Sequence, residues 1–135
     1  MTIKEQLQNI AALARELEHC RRLCKAVVDE AVKHLEEGED IADKLKEPQA
    51  AWWERLQRYL AEMAYIDGLM DVYEESIKHR MILRLKYYEA LTWEQVTQRM
   101  HYSDAHVRRL HDAAIQRLEE ARRWEQMDIE DVEGA

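Results

Sequence analysis

Two hydroxyl residues near the end of the chain, Thr92 and Ser103, each precede a stretch with helical apolar spacing. Gln95 follows Thr92 by three residues, the pairing of a capping box. A helix begun this way turns free backbone amides and a hydroxyl outward, where they can hold phosphate oxygens. Val96 and Met100 are the inward positions of the short first helix, which runs from Trp93 to about Met100. After a tight turn at His101-Tyr102, Val107, Leu110, Ala114 and Leu118 form the inward stripe of a longer helix reaching about Trp124. That stripe leaves Asp104, Ala105, Arg108, Arg109, Asp112 and Gln116 on the outward side. Arg108 and Arg109 carry donors that suit guanine edges or phosphates. Arg84, Lys86 and Arg99 add cations for further phosphate contacts. A short helix, a turn and a longer helix, each begun by a hydroxyl cap, have the outline of a helix-turn-helix, whose second helix enters a major groove.

Other chemistry finds little support. The three glycines, Gly38, Gly68 and Gly134, allow neither GxxxxGK[ST] nor GxGxxG. His101, His106 and His111 are spaced by five, which spreads them around a helix. His19, Cys20 and Cys24 have the types of zinc ligands but lack a second ligand pair, so no metal or cofactor is expected. The cysteines lie one helical turn apart, too close along a helix to bridge without distorting it. Trp52-Trp53 reads as a core or interface anchor. With no nucleophile, ligand cluster or pocket signature, the chain is expected not to be an enzyme.

The elements that must position these residues are also readable. A chain of 135 residues with one proline and three glycines has few places to turn, so it is expected to be all-α. Residues 3–35 read as one helix, with Ile3, Ile10, Leu17, Cys24 and Ala31 spaced by seven and Leu7, Ala14, Arg21, Val28 and Leu35 offset by four. The acidic run from Glu36 to Asp40, with Gly38, is expected to end it. Pro48 reads as the first position of a second helix. There Trp52, Tyr59, Ile66 and Tyr73 repeat by seven, with Leu56, Met63, Met70 and Ile77 between them. Two such seams predict a hairpin that also associates with a second copy, as a homodimer or higher homo-oligomer. The seam residues Ile3, Leu7, Ile10, Leu17, Trp52, Leu56, Tyr59, Met63, Ile66, Met70 and Tyr73 are the candidates for that contact. Lys78 to Tyr88 is expected to be a third helix, burying Met81, Ile82, Leu85 and Tyr88.

Charge divides along the same lines. The total of -8 breaks into -7 over residues 1–77, +4 over 78–124 and -5 over 125–135. These ranges give an acidic helical oligomerisation region, a basic helix-turn-helix domain with four of the six histidines, and an acidic tail expected to be disordered. No apolar run is long enough for a membrane span, and the start MTIKEQLQNI has no apolar signal core. A cytoplasmic setting is expected.

The stretch from Arg80 to Leu118, RMILRLKYYEALTWEQVTQRMHYSDAHVRRLHDAAIQRL, resembles region 4 of sigma factors. It looks still more like the sigma-region-4-like regulators of bacteriophages and prophages, including RinA- and ArpU-type proteins. The resemblance rests on Leu83-Arg84-Leu85-Lys86-Tyr87, Leu91-Thr92-Trp93-Glu94-Gln95-Val96, Tyr102-Ser103, His106-Val107 and Arg109-Leu110-His111. It implies a sequence-specific transcriptional regulator in a bacterial host cell, bound to double-stranded DNA, with RNA polymerase as a further partner. Ser103, Asp104, Ala105, His106, Arg108 and Arg109 would be the reading face, with Thr92 and Trp93 beside it. The chain departs from the pattern at His101, where a turn glycine is common, and at Ala113, where a base is common. Asp104 and Asp112 also put carboxylates on the DNA side. Two alternatives remain beside this reading: an assembly protein such as a small terminase subunit, and a protein-interaction module or sigma mimic that binds no DNA.

Overall fold

A computed structural model describes residues 1–33, 41–72 and 75–133, with side chains described up to Met127, and the fold is all-α. Helix α1 spans Ile3–Lys33 and α2 spans Ile41–Val72. Helix α3, Ile77–Leu83, passes into a π turn at Arg84–Tyr88, followed by α4, Trp93–Met100, and α5, Asp104–Glu133. Leu35, the acidic run at 36–40 with Gly38, and Tyr73 lie outside the described residues. Among the described residues, no helix is long and apolar enough to cross a membrane.

The heptad rows do form helices, and those helices fold onto each other. Ile3, Leu7 and Ile10 at the start of α1 share a core with Ile66, Leu69 and Met70 at the end of α2. Farther along, Arg55 donates to Glu16 at 3.1 Å, so the pair is antiparallel. Ile3, Leu7, Ile10, Ile66 and Met70 are therefore taken up inside the chain, not offered to a second copy. Leu17, Leu56, Tyr59 and Met63 are half-buried, and Trp52 sits at the edge. The same core continues through Leu83, Tyr87, Tyr88, Ala114, Leu118 and Ala121. It thus crosses residue 77 and joins the N-terminal helices to the C-terminal ones. Each fully buried Leu or Ile contributes about 1.5–3 kcal/mol relative to exposure, so this shared core resists separation of the two halves.

Polar contacts fix the joints. Thr2 Oγ1 accepts the Glu5 amide at 3.1 Å, and Glu119 of α5 accepts the Ile3 amide at 2.6 Å. The start of α1, where free amides gather, is thereby docked on α5. At the corner between α2 and α3, buried Glu75 receives Arg117 Nε at 3.1 Å and hydrogen-bonds His79 Nδ1 at 2.6 Å. Arg80 closes the corner by donating to the Met70 carbonyl and to Asp71, both at 2.7 Å.

Four features differ from their sequence expectation. Helix α2 begins at Ile41, so Pro48 lies inside it instead of opening it. The preceding Ile-Ala-Asp-Lys-Leu-Lys-Glu favours helix strongly enough to carry a proline that gives up one i→i−4 bond. Ile77 does not extend the α2 seam; α2 stops at Val72, and Ile77 opens α3 at 80% exposure behind the Ser76 cap. Met81, expected inside, is 47% exposed, whereas Ile82 and Leu83 beside it in α3 are fully buried and Tyr87 is buried within the π turn. Helix α5 runs to Glu133, so residues 125–133 are helical where a disordered tail was expected. Neither proline nor glycine interrupts that stretch.

Candidate nucleic-acid interface

The turn unit is set by the caps the sequence announces. Thr92 Oγ1 accepts the Gln95 amide at 3.2 Å, while the Gln95 side chain accepts the Thr92 amide at 2.9 Å. Helix α4 then ends at His101, whose φ of 59° and ψ of 34° place it in the left-handed region. Histidine accepts that conformation more readily than branched residues do. Ser103 Oγ accepts the His106 amide at 3.2 Å and starts α5. Ile82, Leu85, Val96, Met100 and Val107 fill the core between α3, α4 and α5, with Leu91, Trp93, Tyr102 and Leu110 packed around them.

The outward face has the composition expected of it. Asp104, Ala105, Arg108, Arg109 and Asp112 are all exposed along the first turns of α5. Arg109 has no ion-pair partner among the described residues, which leaves its guanidinium available to a ligand. Arg108 is held: its guanidinium stands 4.2 Å from the centre of the Trp93 ring, and Nε lies 3.6 Å from Asp104. Lys86 stands over the same indole at 4.8 Å and donates to the Leu91 carbonyl at 3.2 Å. Trp93 is thus a shelf for two cations, a different role from direct contact with DNA. His106 is half-buried with its ring 4.6 Å from Tyr102, at the edge of the face. Arg84 and Arg99 are exposed but lie apart, on a groove that also includes Ile77 and Met81.

Beneath this face lies a polar chain that sequence patterning did not single out. His111 is only 3% exposed, with Nε2 at 2.5 Å from the Tyr87 hydroxyl and Nδ1 at 3.0 Å from Asp112. Burial, helped by Lys4 and Lys86, lowers the His111 pKa below its ordinary value, against the pull of Asp112. A neutral ring satisfies both neighbours when Nδ1–H donates to the carboxylate and Nε2 accepts from Tyr87. Burial and Asp112 push the Tyr87 hydroxyl up to about 12, which keeps it a donor. Asp112 is therefore engaged within the chain, as Asp104 is with Arg108. Lys4 and Arg15 of α1 border the same region. The signal for them was the row Lys4, Gln8, Ala11 and Arg15, which follows one face of α1.

A bundle with capped helices around a turn and a cationic outward face on the second defines a helix-turn-helix protein of the DNA-binding class. Residues 76–120 match the family model of sigma-70 region 4. Sigma-70 region 4 is a DNA-binding helix-turn-helix, and this third of the chain is similar to it. No curated protein and no solved structure matches the chain.

Proposed function

We propose that the chain is a sequence-specific transcriptional regulator of phage or prophage origin, which reads the major groove of duplex DNA with the start of α5. The observation that carries this reading is the exposed face of α5, where Arg109 is unpaired by any described residue while Asp104 and Asp112 are each engaged by a neighbour. That pairing reduces the repulsion the two carboxylates would offer to phosphates, and favours DNA over a purely protein partner. Arg109 reads a base, Arg108 and Lys86 contact phosphates, and the amides behind Thr92 and Ser103 fix the register. RNA polymerase is the expected second partner. Selection of bound sequences from random duplexes at two salt concentrations tests the reading. An enriched motif that Arg109→Ala blurs supports it; recovery of unselected sequence rejects it.

Self-association has its own support. Leu23, Val28, Val32, Trp53, Leu60 and Tyr65 are exposed apolar residues on α1 and α2. A solution mass of two chains fits a regulator, whereas a ring of many subunits fits an assembly role.

A further inference from the structure

A cleft of about 420 Å³ opens between the N-terminal half of α1 and the helix-turn-helix. Four cationic side chains from three parts of the chain line it: Lys4 and Arg15 from α1, Lys86 from the π turn, and Arg108 from α5. Asp112 is the only carboxylate on its wall among the described residues, and it already pairs with His111. Lys4 and Arg15 are exposed and form no ion pair with any described carboxylate. Lys86 feels two of the other charges. Burial lowers the Lys86 pKa, and Arg108 and Arg15 lower it further. Lys86 and Arg108 are held over one indole ring, and the ring of His111 behind them is kept neutral by burial. A cleft that gathers cations against mutual repulsion, with its one carboxylate engaged, is complementary to an anion with several oxygens.

We propose that this cleft is a phosphate-binding site, built jointly by α1 and the helix-turn-helix. Its ligand is either a backbone phosphate of the DNA that α5 reads or a phosphate group on a free small molecule. The first source rests on the DNA-binding function proposed above; the second does not. In either case α1 is part of the binding surface as well as a packing helix. Lys4 and Arg15 supply charge that residues 76–120 lack, while Lys86 and Arg108 supply the orientation.

The test uses the full chain, the double variant Lys4→Gln/Arg15→Gln, and the control Lys25→Gln/Lys46→Gln, whose residues lie outside the cleft. Both cleft residues are exposed, so the fold should survive, and a thermal melt without ligand checks this. For duplex DNA, the slope of log affinity against log salt should become shallower by about 0.9 for each phosphate no longer neutralised, hence by about 2 in the cleft variant. The enriched motif should stay the same, and the control should follow the original chain. For the free-ligand source, pyrophosphate should raise the melting temperature of the original and control chains, and the cleft variant should lose that rise. Either result supports the site and identifies its source. A chain that binds no DNA but responds to pyrophosphate in this way keeps the site and removes the proposed function. A cleft variant that matches the control in both assays overturns the site.

Discussion

Removing one oxygen atom tests the polar chain that joins the π turn to α5. In Tyr87→Phe, His111 Nε2 loses a donor at 2.5 Å in a place where the ring is only 3% exposed. Water cannot readily replace that donor, so the variant leaves a buried acceptor unsatisfied, at a cost of about 1–3 kcal/mol. For a chain of 135 residues the unfolding entropy is about 0.3 kcal/mol/K, so the melting temperature should fall by about 3–10 °C. A second signature concerns pH. The folded His111 pKa lies below the unfolded value of 6.5, so the unfolded chain binds the extra proton first. The corresponding stability is present above pH 6.5 and declines as pH falls from there toward the folded pKa. The Tyr87 hydrogen bond favours the neutral ring, so Tyr87→Phe should lessen this decline. Urea unfolding at about pH 7.5 and about pH 5.5, on either side of the unfolded pKa, measures the two effects together on both chains. A variant with unchanged stability at the higher pH, or an equal decline at the lower one, would refute the coupling of Tyr87 to His111.

Thr92→Ala removes one half of the capping box and should cost about 0.5–2 kcal/mol, read as a lower urea midpoint with an unchanged slope. His101→Gly relieves a left-handed side chain and should stabilise the chain by about 0.5–1 kcal/mol after the added flexibility of the unfolded state, read as a higher melting temperature. Trp93→Leu removes the ring beneath Arg108 and Lys86 while keeping an apolar side chain. It should weaken DNA binding, as measured by fluorescence anisotropy at a temperature where the variant's melting curve shows it fully folded.

The legible parts of the fold are the ones written locally. Thr92, Gln95 and Ser103 announce their helices within three or four residues, and His101 marks a turn that no glycine provides. The heptads of α1 and α2 likewise mark two long helices. Periodicity identifies a buried face without naming what buries it, and here Ile3, Leu7, Ile10, Ile66 and Met70 meet within one chain. Pro48 misplaces the start of α2 because its local preference is outweighed by the mostly helix-favouring residues before it. The π turn has no local mark either. It arises where Leu83, Tyr87 and Tyr88 all face one core while Ile82 and Leu85 face another. The same limit applies to the site. Arg108 and Arg109 are visible from the stripe of α5, whereas Lys4 and Arg15 approach Lys86 only through the packing of distant segments. His111 is one of three scattered histidines until Tyr87 and Asp112 are placed around it.

If the first turns of α5 read DNA through Arg109, that side chain must discriminate between duplexes. The decisive comparison is the affinity of the original chain and of Arg109→Ala for the same selected duplex and for an unrelated one, at fixed salt. The expected loss is about 1–3 kcal/mol, roughly 5- to 150-fold, on the selected duplex, with a much smaller loss on the unrelated one. Equal affinity of the two proteins for the selected duplex would contradict this role of Arg109.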